Sequence, residues 1–357
     1  MMEPATRPAI RQTATRHRPR TRALTTALTT ALTTGLAAAL ALALPVLGGT
    51  GTAVAQSWDM PVPYGDTNFH TVNHMQFAAD VETATNGALT LTVHPSGSLF
   101  KHPEIKNAVR SGQVPIGEFL LSRLSNENPM YELDSVPFLA TSYADAEKLW
   151  QVSRPKIEAL LAEEGLTILY AVPWPPQGLY ADSAVSDGGE LAGMKFRAYN
   201  TATERLAQLM DAVPTQVEVP DLAQAFSTGR VDAMVTSPST GANTKAWDYL
   251  SHYYDVQAWL PKNIVVANVR ALRSLDEETR NAIMVAADKA QARGWAASME
   301  ETDTKTKALK ENGIEVAPPS DELKAKLQGI GATMTEEWLD RAGEEGAAVV
   351  AAFKSDS

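Results

Sequence analysis

The apolar positions of this chain change their period several times, and each change marks an element. Trp58-Asp59-Met60-Pro61-Val62, with apolar residues at every second position, reads as a strand. From Phe69 to Thr85 the period lengthens to that of an amphipathic helix. Gly87 follows where a left-handed closing residue is wanted. Leu89, Leu91 and Val93 alternate again as a strand. Pro103 to Ser111 is a short helix ended by Gly112, and Val114-Pro115-Ile116-Gly117 is a buried strand. The order β-α-β-α-β predicts a largely parallel sheet with helices on its faces.

A similar unit recurs downstream. Lys195-Phe196-Arg197 is a strand, Thr201 to Met210 a helix, Thr215 to Val219 a strand, Asp221 to Thr228 a helix stopped by Gly229, and Val231 to Val235 a strand. Thr201 and Glu204 have capping-box spacing, which starts their helix at Thr201. Between the units, Val172-Pro173-Trp174-Pro175-Pro176-Gln177-Gly178 forms a stiff crossover, and Trp259-Leu260-Pro261-Lys262-Asn263 is a second. A charged helical stretch runs from Asp276 to near Glu311, with a break expected at Gly294. Gly313 to Val316 is a late strand, and Thr333 to Phe353 a terminal amphipathic helix. Two α/β units joined by crossing segments predict a hinged, two-lobed α/β protein with its ligand in a cleft at the strand ends.

The beginning of the chain is read separately. Six arginines between Arg7 and Arg22 precede an Ala/Leu/Thr run, strongest from Gly35 to Leu47, and Ala53-Val54-Ala55 stands before Gln56. This is the pattern of an export signal, residues 1–55, cleaved near Ala55. No later stretch approaches the roughly 20 apolar residues of a membrane span, so no membrane insertion is expected. There is no cysteine, hence neither a lipid-modified cysteine at the cleavage site nor a disulfide. Without the signal, 25 of the 31 basic and 41 of the 42 acidic residues remain, a net charge of −16. That balance argues against nucleic-acid or anionic-lipid partners. About 300 residues exceed one compact core and suggest two domains.

The candidate chemistry centres on Arg197, which its strand delivers to the start of a helix. A guanidinium is planar, forked and permanently charged, and grips a carboxylate or sulfonate through two parallel hydrogen bonds. Trp174, Tyr180, Trp247, Tyr253, Tyr254 and Trp259 surround the expected cleft. They offer an apolar wall or, in an alternative reading, a cage for the ammonium of an amine or zwitterion. His70 and His74 have the spacing of two metal ligands on one helix face, but no third ligand is evident, so they are expected to face solvent or line the cleft. Nucleophile elbows, P-loops, cysteine nucleophiles and His–Glu metal motifs are absent, which disfavours an enzyme and leaves a carboxylate-pair hydrolase as a remote alternative.

Several stretches resemble the substrate-binding proteins of tripartite ATP-independent periplasmic (TRAP) transporters, the family named for its dicarboxylate-binding member. They are Phe77-Ala78-Ala79-Asp80-Val81 with Thr85-Asn86-Gly87, His94-Pro95-Ser96-Gly97-Ser98-Leu99, and Val109-Arg110-Ser111-Gly112-Gln113-Val114. Asp134-Ser135-Val136-Pro137-Phe138-Leu139, Leu191-Ala192-Gly193-Met194-Lys195-Phe196-Arg197 and Ala225-Phe226-Ser227-Thr228-Gly229-Arg230-Val231-Asp232 follow in the same order. The resemblance implies a type II-like fold, with crossing strands and a long helix spanning the hinge. It places lobe I at 56–174 with 263–302, lobe II at 175–262 with 303–330, and a C-terminal helix at 331–357.

The resemblance also puts the carboxylate-holding arginine on Arg197 and a polar contact near Thr236 or Ser237. It implies a two-component membrane permease driven by an ion gradient as partner, and no cofactor or metal. A receptor that serves a sensor would have the same cleft. Sialic-acid binders of the family carry a second arginine where this chain has Gln177-Gly178-Leu179, and a glutamate where it has Phe119-Leu120-Leu121. These departures imply a smaller, more apolar acid. The expected contacts are Arg197 on the acid group, with Gln177, Tyr180 and Trp174 on the crossover side. Thr236, Ser237 and Asn200 add polar contacts, and Phe119, Leu120 and Asn68 come from the first lobe.

Overall fold

The structure, a computed structural model, describes residues 55–355, so the expected export signal lies outside the described residues apart from Ala55. The chain begins β1 (Gln56–Pro61), α1 (Phe69–Ala84), β2 (Leu89–His94), α2 (His102–Ser111), β3 (Ile116–Leu120), α3 (Tyr143–Glu163), β4 (Leu166–Pro173) and β5 (Gly178–Ala181). It continues β6 (Lys195–Ala198), α4 (Thr201–Leu209), β7 (Val213–Gln216), α5 (Leu222–Ser227), β8 (Ala233–Thr236), α6 (Pro238–Asn243) and β9 (His252–Tyr254). Last come β10 (Lys262–Asn268), α7 (Val269–Ser274), α8 (Glu277–Glu311), β11 (Glu315–Ala317) and α9 (Asp321–Ser355).

Three sheets form. β1 and β2 pair in parallel, β3-β10-β4 are antiparallel throughout, and six strands run in the order β11-β9-β5-β8-β6-β7. The sheets are therefore mixed, not largely parallel as the periodicity predicts. The parallel pairs β6–β7 and β6–β8 come from the β-α-β units, whereas β5 joins β8 and β9 antiparallel. The strands that alternation missed are the buried ones. Every residue of β10, and all of β4 except Thr167, is buried, so their sequences are apolar runs without a two-residue repeat.

The two crossovers run side by side between the sheets. Trp174 N–H donates to Pro261 O at 2.8 Å, Gln177 N–H to Trp259 O at 3.0 Å, and Ala258 N–H to Gln177 O at 2.9 Å. The prolines in these segments restrict φ and stiffen the joint. Helix α8 packs on α1 and β4 at one side and on α6 and β11 at the other, spanning both bodies. Gly294 does not break it. A Cβ there would lie 2.4 Å from Val172 Cγ2 and 2.8 Å from Asn73 Nδ2, so the glycine permits close packing on β4.

Some boundaries move. Helix α4 is capped by Asn200, whose side chain accepts from Thr203 N–H at 2.9 Å, while Thr203 Oγ1 accepts from Asn200 N–H at 3.2 Å. The capping box thus lies one residue before the expected Thr201–Glu204 pair, because extended Asn200 presents a better cap. Strand β7 ends at Gln216, earlier than the expected Val219, and Glu218 beyond it lines the cleft. Helix α9 begins at Asp321, well before Thr333 and residue 331, and kinks at Gly343 where φ is 61°. Among the described residues no helix is long and apolar enough to cross a membrane.

Candidate functional site

Strands β6 and β8 are parallel neighbours, so their C-terminal ends present Arg197 and Thr236 on one edge. Arg197 is only 2% exposed. Its Nε donates to Val217 O at 3.1 Å, its Nη1 reaches Thr236 Oγ1 at 3.5 Å, and its Cζ lies 4.9 Å from the centre of the Tyr199 ring. It enters no ion pair among the described residues. Burial draws its pKa down, and nearby Tyr199 and Glu218 only partly offset this. A buried guanidinium without an ion-pair partner is costly, and an anion beside it offsets that cost.

Arg197 opens into a small cavity between the sheets. The six-stranded side contributes Arg197, Tyr199, Glu218, Val219, Thr236 and Thr240. The opposite side contributes Tyr64, His102, Leu120 and Arg123, and the crossovers contribute Trp174, Gln177 and Pro261. Five of the expected contacts therefore line it: Arg197, Gln177, Trp174, Thr236 and Leu120.

The other five do not line the cavity, for identifiable reasons. Asn68, Asn200 and Ser237 are helix caps whose side chains accept from His70, Thr203 and Thr240 N–H. Asn200 also donates to Ser122 Oγ at 2.8 Å, joining the two sides of the cleft. Tyr180 is buried against Tyr253 and donates to Ser237 O at 3.2 Å. Phe119 packs in the core with Ile105 and Trp150 while Leu120 faces the cavity, as alternation along β3 requires. The six-residue aromatic cage is not assembled either: of its members, Trp174 alone lines the cavity, beside Tyr64 and Tyr199.

Glu218, Arg123 and His102 were not anticipated, and they tie the two sides together. Arg123 Nη1 lies 2.8 Å from Glu218 Oε1 and donates to Tyr199 O at 2.9 Å. His102 Nε2 accepts from Leu120 N–H at 3.1 Å, which leaves its Nδ1 to donate to Glu218 Oε2 at 3.3 Å. Burial would raise the Glu218 pKa, but His102, Arg123 and Arg197 outweigh it and hold the carboxyl at about 2. Its folded pKa is depressed, so the stability it contributes is present above the ordinary carboxylate value and lost as pH falls from about 4.5 toward 2. Acid unfolding followed by circular dichroism should show this loss in the wild type, and Glu218→Gln should flatten that window. An unchanged acid limb in the variant would refute the assignment.

The histidines depart furthest from expectation. Helix α1 buries both against β3, where Glu118, itself fully buried, supplies the third group that the sequence did not reveal. His74 Nε2 lies 2.8 Å and His70 Nδ1 3.4 Å from Glu118 Oε1, which also accepts from Asn263 Nδ2 at 2.7 Å. Zinc ligands at about 2.0–2.1 Å in a tetrahedron stand farther apart than the His74–Glu118 pair, which has hydrogen-bond spacing instead. Asn263 then carries the network to the cavity wall. Its Oδ1 accepts from Trp174 Nε1 at 2.9 Å and Tyr64 OH at 3.3 Å.

Comparison with known proteins agrees with this geometry. The description "Bacterial extracellular solute-binding protein, family 7" (DctP) matches residues 62–341. The fold is similar to DctP7 of Bordetella pertussis, an extracytoplasmic solute receptor binding pyroglutamic acid. The identity is 45%, the TM-score 0.83, and the match covers 84% of this chain and 100% of that one. It is likewise similar to a marine metagenome TRAP solute-binding protein specific for pyroglutamate, at 43% identity and TM-score 0.83, covering 84% and 99% of the two chains. A solute-binding protein of Albidiferax ferrireducens is 28% identical over 169 residues, 46% of this chain and about half (49%) of that protein's length. With its two α/β bodies, paired crossovers and interlobe cavity, this chain belongs to the DctP family of bacterial extracellular solute-binding proteins, the solute receptors of TRAP transporters.

Proposed function

We propose that this protein is a periplasmic receptor that closes its lobes around a small carboxylic acid of the pyroglutamate class. It releases the acid unchanged to a TRAP permease of small and large membrane subunits. The observation that carries the proposal is Arg197, a buried guanidinium facing a cavity without a carboxylate partner among the described residues. The similarity to two pyroglutamate receptors at 43% and 45% identity supports the choice of acid. The lobes proposed are 56–174 with 263–302 and 175–262 with 303–330. They turn about the crossovers, and ligand contacts from both sides favour the closed state. An export signal ending near Ala55 accounts for the location.

A thermal-shift panel tests the chemistry. L-Pyroglutamate at 100 times its dissociation constant should add about 2.7 kcal/mol and raise the unfolding midpoint by a few degrees. Shifts produced by simple amines and by no carboxylate would overturn the proposal in favour of a cation site.

A further inference from the structure

The cavity's charges can be counted. Its titratable lining residues are Tyr64, His102, Arg123, Arg197, Tyr199 and Glu218. His102 is neutral, because Nε2 accepts a backbone N–H and burial lowers its pKa. Tyr64 and Tyr199 keep their protons, donating to Asn263 and Gln177, and burial raises both. Two guanidiniums and one carboxylate remain. Arg123 and Glu218 are in contact at 2.8 Å and cancel, whereas Arg197 has no carboxylate partner.

We propose that Glu218 makes this a monoanion site: by neutralising Arg123 across the cleft, it leaves Arg197 as the single uncompensated cation of the cavity. The inference rests on the carboxylate function proposed above and specifies its charge class. Inside the cavity one ligand carboxylate balances the buried Arg197, while a second would lie unpaired near Glu218. The far end of the ligand instead meets a neutral pair that offers both kinds of hydrogen bond. Glu218 supplies acceptor oxygens, and Arg123 Nε, buried without a partner, supplies a donor. An amide or lactam edge, with one N–H and one C=O, matches that pair. Glu218 also discriminates, since it repels a second carboxylate on the ligand.

Titration calorimetry on the purified protein, with L-pyroglutamate and glutarate as probes, tests this. The wild type should prefer pyroglutamate by about a hundredfold or more, as expected for a desolvated like-charge contact. Glu218→Gln leaves two free guanidiniums, and the preference should move toward glutarate by about tenfold or more. Arg123→Gln/Glu218→Gln restores a single cation and should restore the preference for the monoanion, which separates charge from any general loss of fold. Equal weakening of both ligands in Glu218→Gln would overturn the inference, because Glu218 would then only join the lobes. Equal affinity of the wild type for both acids would overturn it too. Binding of neither acid by the wild type would overturn the carboxylate function itself, and this inference with it.

Discussion

Replacing Arg197 with alanine should abolish carboxylate binding and leave the protein close to its original stability. In the complex, the ligand anion and this guanidinium form a desolvated charge pair. Removing one partner of such a pair costs about 3–5 kcal/mol, or roughly two to three orders of magnitude in affinity. Stability responds differently because Arg197 carries no ion pair within the protein. The variant loses a hydrogen bond to Val217 O and packing on Tyr199, but it also loses a buried cation held by neutral groups. These effects oppose each other. Arg197→Lys should fall between, since an ammonium keeps the charge without the two-pronged grip. Calorimetric affinity and the thermal midpoint, measured on the same samples, check both halves. A dissociation constant unchanged by Arg197→Ala would remove the central claim.

Glu118→Ala should have the opposite profile, a large loss of stability from a residue outside the cavity. The carboxylate is fully buried, accepts from Asn263 and faces His74 and His70. Its removal orphans those groups and leaves a void, a cost of about 3–5 kcal/mol and a midpoint lower by roughly 10 °C. Glu118→Gln keeps an acceptor for Asn263 and should cost less. Binding should weaken as well, because Asn263 positions the Trp174 and Tyr64 rings of the wall. A midpoint within about 2 °C of the wild type would mean that the network holds nothing.

The same cluster sets a pH dependence. Burial depresses His70 to about 3, more than its neighbour Glu118 offsets, so the ring must stay neutral in the fold. The unfolded chain takes up that proton near pH 6.5, and the stability His70 contributes is therefore lost as pH falls from about 6.5 toward 3. Burial alone would raise Glu118, but His74, His70 and Asn263 outweigh it and hold the carboxyl below its ordinary range. Its contribution is also lost as pH falls, so both groups predict weakening on the acid side.

The elements with a clear period were legible in the sequence: α1, β2, α2, β6, α4 and the long helix α8 stand close to where their patterns put them. So was the position of Arg197 on the cavity wall, because a charge at the end of an apolar strand is a local signal. Trp174 and Gln177 were legible for a related reason, since prolines confine their crossover to a narrow path. The buried strands β4 and β10 were not, because a segment covered on both faces has no alternation to betray it. Phe119 and Leu120 are neighbours on a strand and face opposite ways, so only Leu120 lines the cavity.

Local patterns along the chain thus carry the family, the hinged α/β plan and the position of Arg197 at a strand end. The tertiary structure decided which polar groups are free to meet a ligand. Asn68, Asn200 and Ser237 look like ligand contacts by residue type, but backbone N–H groups at helix starts claim their side chains first. His102, Arg123 and Glu218 lie far apart along the chain and meet only when the sheets face each other, as Glu118 meets His70 and His74. Periodicity describes how a segment meets the core, whereas a site is a coincidence of side chains from separate segments, and only the packed fold brings them within hydrogen-bond reach.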